Sequence, residues 1–145
     1  MRVAFFGHAD TPEHIRTELK AAIINLINEK SADTFYVGHQ GNFDRMVANE
    51  LKNIKAEYPF ISFYIVLAYF PVKKDNTIDY QNSIFPEEIA TVPKKFAIAK
   101  RNDWMIENCD TVVSYVTFSS GGAAKYKDKA EKKGKKIINL ATEQN

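Results

Sequence analysis

The sequence predicts an α/β fold: a three-layer α/β/α sandwich around a five-stranded, mainly parallel sheet in the order 3-2-1-4-5. Three observations lead there. Short apolar runs alternate with amphipathic stretches of about 12 to 18 residues, the pattern of βαβ units rather than of hairpins. Three of those runs end abruptly in glycines or small polar residues, as strands do when they turn directly into a helix. A long stretch without periodicity, 70–95, separates the third run from the next amphipathic stretch and is long enough to carry the chain back across the sheet.

Residues 2–6 are the first expected strand, a run of β-formers suited to burial on both faces. It stops at Gly7-His8-Ala9-Asp10. Thr11 is placed to cap the next helix, and Pro12 to take its first position, where a missing N–H costs nothing. Ile15, Leu19, Ala22, Ile23, Leu26 and Ile27 then draw an apolar stripe through about residue 29. The second strand, 34–38, runs into Gly38 and Gly41. A second helix spans about 42–57, carried by Phe43, Met46, Val47, Leu51 and Ile54 and broken at Tyr58-Pro59. Residues 60–69, the most hydrophobic stretch, are the third strand.

The 70–95 stretch holds Pro71, Pro86 and Pro93 and reads as a long loop, with one helical turn at most near Pro86-Glu87-Glu88. A third helix covers 96–108. Ile98, Met105 and Cys109 share one of its faces, and Ala97, Arg101 and Trp104 an adjoining one. So wide an apolar surface predicts a second partner for it, hence self-association. Strand four, 111–116, closes in Thr117-Phe118-Ser119-Ser120-Gly121-Gly122. A fourth helix over 123–133, stopped by Gly134, and a fifth strand over 136–140 complete a single expected domain over 1–145.

Composition narrows the function classes. A chain of 145 residues, 45% hydrophobic and 26% charged, has the make-up of a soluble globular domain. A net charge of +2 demands no nucleic-acid partner, although seven lysines crowd between Lys125 and Lys136. That cluster is a solvated face or a source of attraction for phosphate. The single cysteine, Cys109, excludes an intrachain disulfide and reads as a buried small hydrophobe in a reducing compartment. No apolar run approaches the roughly 20 residues of a membrane helix, and the N-terminal run is too short for a signal peptide. A cytoplasmic protein is expected. No Cys/His set has metal-ligand spacing, so neither metal nor cofactor is expected.

In an open parallel sheet, ligands bind beyond the carboxyl ends of the strands, where connections diverge to opposite faces. Gly7 and His8, then Gly38 and Gly41, then Gly121 and Gly122 would meet there. Gly121 and Gly122 precede a helix, so their backbone N–H groups and the helix dipole favour an anion; Ser119 and Ser120 add hydroxyl donors. The spacing is neither that of a Walker loop nor that of the dinucleotide fingerprint. His8 is expected to face the ligand and His39 to sit in the turn near solvent. Asp44 starts a helix, where it caps or binds ligand, and Arg101 is either a snorkelling surface residue or an anion ligand.

Four elements stand in this order along the chain: Phe6-Gly7-His8, Gly38-His39-Gln40-Gly41-Asn42-Phe43-Asp44, Arg101-Asn102-Asp103-Trp104-Met105 leading to Cys109-Asp110-Thr111-Val112-Val113, and Ser120-Gly121-Gly122. Together they resemble the SLOG superfamily, the Rossmann-like group that contains the DprA/Smf proteins and the LOG-type phosphoribohydrolases, and within it the small stand-alone members. The resemblance implies a pocket for a nucleotide or nucleotide derivative, with phosphate at Gly121-Gly122 and sugar and base between the other two turns. It implies a sensor or an enzyme acting on such a ligand, and a homo-oligomer, since SLOG proteins are frequently dimers. The same resemblance carries two alternatives. One is a LOG-type hydrolase of the N-glycosidic bond, with Arg101 and Asp128 as catalytic candidates. The other is a DprA/Smf-like nucleic-acid-associated protein using the lysine cluster. Against the LOG pattern Pro-Gly-Gly-x-Gly-Thr-x-x-Glu, this chain lacks the Pro, the third Gly and the Thr, and Asp128 stands at the Glu position.

Overall fold

The computed structural model describes residues 1–70 and 78–141. Its sheet is built from β1 (Arg2–Gly7), β2 (Thr34–Val37), β3 (Ser62–Val66), β4 (Ser83–Ile84), β5 (Thr111–Tyr115) and β6 (Lys136–Asn139). Helices α1 (Arg16–Lys30), α2 (Gly41–Glu57), α3 (Glu87–Ala90), α4 (Lys94–Glu107) and α5 (Gly122–Lys132) flank it. The order is β4-β3-β2-β1-β5-β6, and every neighbouring pair is parallel.

The expected order 3-2-1-4-5 survives as β3-β2-β1-β5-β6, but the count of five strands is corrected to six among the described residues. The addition is β4, an edge strand within the stretch read as a loop. It pairs with β3 through Ile65 to Ser83 and Val66 to Ile84. Two residues are too few to leave a period-two signal, so pairing with an open edge decided this element, not its own pattern. The helical turn near Pro86 is α3, which buries Ile89. The part of the expected loop at 71–77 lies outside the described residues.

Thr11 does not cap α1. Its hydroxyl donates to the His8 carbonyl (2.6 Å), and a 3-10 turn, Glu13–Ile15, leads into the helix from Pro12. Proline's fixed φ and missing N–H suit that entry. β3 is shorter than its apolar run. Phe60 is exposed before it, and Leu67, just past its end, donates its N–H to the Ile84 carbonyl (2.9 Å).

β1 lies in the middle, and its side chains alternate between two cores. Val3 and Phe5 join Phe35, Phe43 and Leu51 beneath α1 and α2. Ala4 and Phe6 join Tyr36, Met105, Ile106 and Tyr126 beneath α4 and α5. A strand covered on both faces has no polar side, which is why it reads as an unbroken apolar run. On α4, Trp104 is engaged within the chain: its indole N–H donates to Glu88 (3.3 Å), and its ring meets Tyr36 edge-on at 5.1 Å. α3 and β2 thus engage Trp104, one part of the surface whose width motivated self-association. Phe96 and Ile98 stay exposed.

Gly7 ends β1 for a packing reason. A Cβ there would stand 2.2 Å from Cγ of Phe43, whose ring, itself buried, lies flat against the glycine. Gly7→Ala is expected to destabilise the protein by roughly 1–3 kcal/mol, the usual penalty for forcing a methyl into a filled core. Urea unfolding would measure it; an unchanged midpoint would mean that Phe43 can move aside at no cost.

Candidate functional site

β1 and β5 are neighbours, yet the chain leaves β1 for α1 on one face and β5 for α5 on the other. The gap this leaves at their carboxyl ends is a cleft of about 370 Å³, within the usual range for a small-molecule or cofactor site. Its walls come from the turns after β1, β2 and β5 and from α4 and α5.

At the back of the cleft lies Arg101, only 3% exposed. Its guanidinium donates to the Gln40 side chain (2.6 Å), to the Val66 carbonyl (3.2 Å) and to Asn102 (2.7 Å). α4 therefore reaches through its arginine to the ends of β2 and β3. Gly38 makes room for it: a Cβ at Gly38 would stand 2.7 Å from a guanidinium nitrogen and 2.8 Å from the Asp44 carboxylate. Arg101 and Asp44 thus press on Gly38 together. Asp44 also accepts the Gln40 N–H (3.0 Å), so it caps the start of α2 and faces the cation at once. Burial pushes its pKa up to about 6, against the opposing pull of Arg101 and the Gln40 N–H. A carboxyl that titrates near neutrality beside a fixed cation can take up or release a proton where an anion would bind.

His8 is held differently. Its Nε2 accepts the Thr117 N–H (2.9 Å), which fixes the neutral ring with its proton on Nδ1. Burial lowers its pKa, with Asp10 pulling the other way. Phe118 stacks on the imidazole at 4.0 Å and 7° from parallel, while remaining 52% exposed. The aromatic therefore forms a wall of the cleft with one face on His8.

The glycines divide into two groups. Gly7, Gly38 and Gly41 are required by packing; a Cβ at Gly41 would lie 2.6 Å from Cα of Ala9, where the Asn42 N–H also bonds the Ala9 carbonyl (2.8 Å). Gly121 and Gly122 are open. Gly121 has φ +98°, a conformation only glycine adopts without strain, and nothing lies within 4 Å of a Cβ at Gly122. These two line the cleft at the N-terminus of α5.

Of the expected site residues, Gly7, His8, Gly38, Asp44, Arg101, Gly121 and Gly122 line this cleft. Gly41 lies on the other side of its turn, with His39. Ser119 and Ser120 are exposed and do not line the cleft. Asp128 lies on the outer face of α5, paired with Lys127 (3.6 Å), so Arg101 and Asp128 are not brought together; Asp44 is the carboxylate beside Arg101. The lysine cluster is split as well. Lys129 pairs with Asp103 (2.5 Å), Lys132 and Lys133 are exposed at the far end of α5, about 15 Å along the helix from Gly122, and Lys136 is exposed at the start of β6. Sequence reasoning passed over Gln40, Phe118 and Tyr126. Phe118 had a signal: a large aromatic inside a polar glycine turn. Gln40 had none, since its role depends on an arginine distant in the chain. Among the described residues no helix is long and apolar enough to cross a membrane, and no group of three or more His, Cys, Asp or Glu is placed to hold a metal.

No family model matches this chain, and no curated protein matches it. Solved structures do. DNA processing protein A (DprA) from Streptococcus pneumoniae superposes with a TM-score of 0.67 at 18% identity, over 94% of this chain and 48% of that one. DprA from Helicobacter pylori, whose structure describes a single-stranded DNA binding mode, gives a TM-score of 0.66 at 15% identity, over 99% of this chain and 70% of that one. The fold is DprA-like. This chain spans about half the length of the S. pneumoniae protein, and at these identities the likeness speaks to fold alone.

Asp44 supplies a pH test of the site. Its folded pKa lies above the ordinary 3.8, so the folded state binds its proton more tightly than the unfolded state does. The associated stability is complete below about pH 4 and lost as pH rises through about 6. Asp44→Asn removes the titration, so the variant should gain on the wild type by on the order of 2–3 kcal/mol between pH 4 and pH 8. Denaturant unfolding across that range checks it. Parallel stability curves for the two proteins would mean that the carboxylate is not desolvated.

Proposed function

We propose that this protein binds single-stranded nucleic acid at the carboxyl edge of its sheet, seating a phosphate at Gly121-Gly122 and a base against Phe118. One observation carries the reading: an open glycine turn at a helix N-terminus stands beside an exposed aromatic ring, over a cleft with a buried cation. Phosphate favours the first feature, because the first-turn N–H groups of a helix lack intrahelical partners and its dipole favours an anion, and no side chain caps α5 at Gly121. A base favours the second, since every base presents a π-face to an aromatic platform and stacking is worth roughly 1–3 kcal/mol. A base stacked in a duplex has no face to offer Phe118. The likeness to DprA, and the single-stranded DNA binding of the H. pylori protein, support a strand rather than a free nucleotide.

A mononucleotide-binding protein is the second reading, favoured by the cleft's volume of about 370 Å³. Gly122→Val separates a ligand site from a mere turn, because a Cβ at that position meets nothing within 4 Å and the fold should keep the substitution. The expected result is wild-type binding of a labelled oligo-dT, weakening with salt, and at least about tenfold weaker binding by the folded variant, or about 1.4 kcal/mol. Mononucleotides should leave the melting temperature unchanged while the oligomer raises it. The reverse pattern would transfer the site to the second reading, and equal oligomer affinity for both proteins would remove the glycine turn from binding.

A further inference from the structure

A second cleft, of about 390 Å³, opens on the opposite side of the turn that joins β2 to α2. Gly38 and Asp44 line both clefts, so this one turn is all that separates them. On its far wall α2 presents Arg45, Asn49 and Lys52, at i, i+4 and i+7, a single helix face. Across from them stand Ile65, Ile78 and Asp79.

We propose that this second cleft continues the same path, so that a strand seated at Gly121-Gly122 crosses the Gly38 turn and lays its next phosphates against Arg45 and Lys52. The inference rests on the reading above and extends it: the ligand is an oligonucleotide long enough to occupy both clefts, not a single nucleotide.

The arrangement of charge supports this path over one along α5. Arg45 and Lys52 are exposed and line the second cleft, whereas Lys132, Lys133 and Lys136 line neither cleft. Seven residues of helix separate the two cations by about 10 Å. That distance matches roughly three phosphates at the 3.4 Å strand repeat of a duplex, and fewer in an extended strand. Asn49, between them, can donate to a phosphate oxygen or a base edge. Of the five N–H donors of a guanidinium, Arg45 places one against Asn42, at 3.0 Å. One of the cleft's two carboxylates is turned to another use: both oxygens of Asp79 accept from Asn82, at 3.4 Å from its N–H and 2.7 Å from its amide, closing the Tyr80–Asn82 turn. The other carboxyl, Asp44, is held inward by Gln40 and faces Arg101.

Fluorescence anisotropy with labelled oligo-dT of two, four, eight and twelve residues tests the path on the full chain. Wild-type affinity should climb as the strand lengthens beyond what the first cleft holds. Arg45→Glu/Lys52→Glu should lose at least about tenfold for the eight-residue strand yet bind the two-residue strand as the wild type does. The slope of log affinity against log salt should flatten by about 1.4, two contacts at about 0.7 each. Lys132→Glu/Lys133→Glu serves as the charge control and should change neither. A ribo-oligomer of equal length is expected to behave alike, because the path meets phosphates. Equal eight-residue binding by wild type and Arg45→Glu/Lys52→Glu would overturn the second cleft while leaving the first intact. Equal losses in the two double variants would overturn it too, since net charge alone would then account for binding. If no strand binds the wild type, the underlying function fails along with it.

Discussion

A guanidinium removed from water must find acceptors nearby, and Arg101 finds them on parts of the chain that meet only in the folded state. Gln40 belongs to the turn after β2, Val66 to the end of β3, and Asn102 to α4 itself. Such a contact is costly to assemble, because ion desolvation amounts to several kcal/mol before any bond is returned. Its value is positional. With Arg101 in place, Gly38 cannot carry a side chain, Asp44 is pressed toward the cation, and the start of α2 is fixed by the Gln40 N–H. The turn that divides the two clefts is therefore held from the opposite side of the sheet.

The remaining turns are fastened by lesser versions of the same device. Phe43 lies on Gly7, Ala9 on Gly41, and the Asn42 N–H ties the second turn to the first. His8 then reaches over to hold the Thr117 N–H, bringing the turn after β5 against the turn after β1. Each of these contacts joins backbone to backbone or ring to backbone, so the cleft floor is fastened where the turns meet. The loosest part is where a ligand would arrive. Gly121 and Gly122 have open space around them, and the outer face of Phe118 is bare. A packed floor under an open rim is consistent with the strand proposed above, for the ordering cost then falls mainly on the ligand.

Charge follows the same division. The lysines that dominate the composition of the C-terminal third are mostly remote from the cleft, and two of them pair with Asp103 and Asp128. The arginines and lysines that line the two clefts are fewer: Arg101 from α4, and Arg45 and Lys52 from α2. A field focused by low-dielectric walls needs few charges, which gives the buried Arg101 more weight than a surface lysine.

The strand and helix alternation was legible in the sequence because each element must bury one face, and burial leaves a period in the residue pattern. The parallel order came from chirality and connection length, neither of which depends on side-chain detail. The glycines at 7, 38, 41, 121 and 122 were legible as turn positions, but their uses were not. A glycine required for a distant ring or guanidinium and a glycine with open space before it leave the same letter in the chain. The same holds for Asp44 and Asp128: both are carboxylates near expected helix starts or phosphate motifs, and only folding puts one beside Arg101 and the other in solvent. β4 escaped because two residues gain their strand conformation from the edge of β3 and not from any preference of their own. Local preference and periodicity, which act over a few residues, wrote the elements into the sequence. Desolvation, steric exclusion and pairing between residues far apart in the chain, such as Gln40 and Arg101, were decided by the tertiary structure alone.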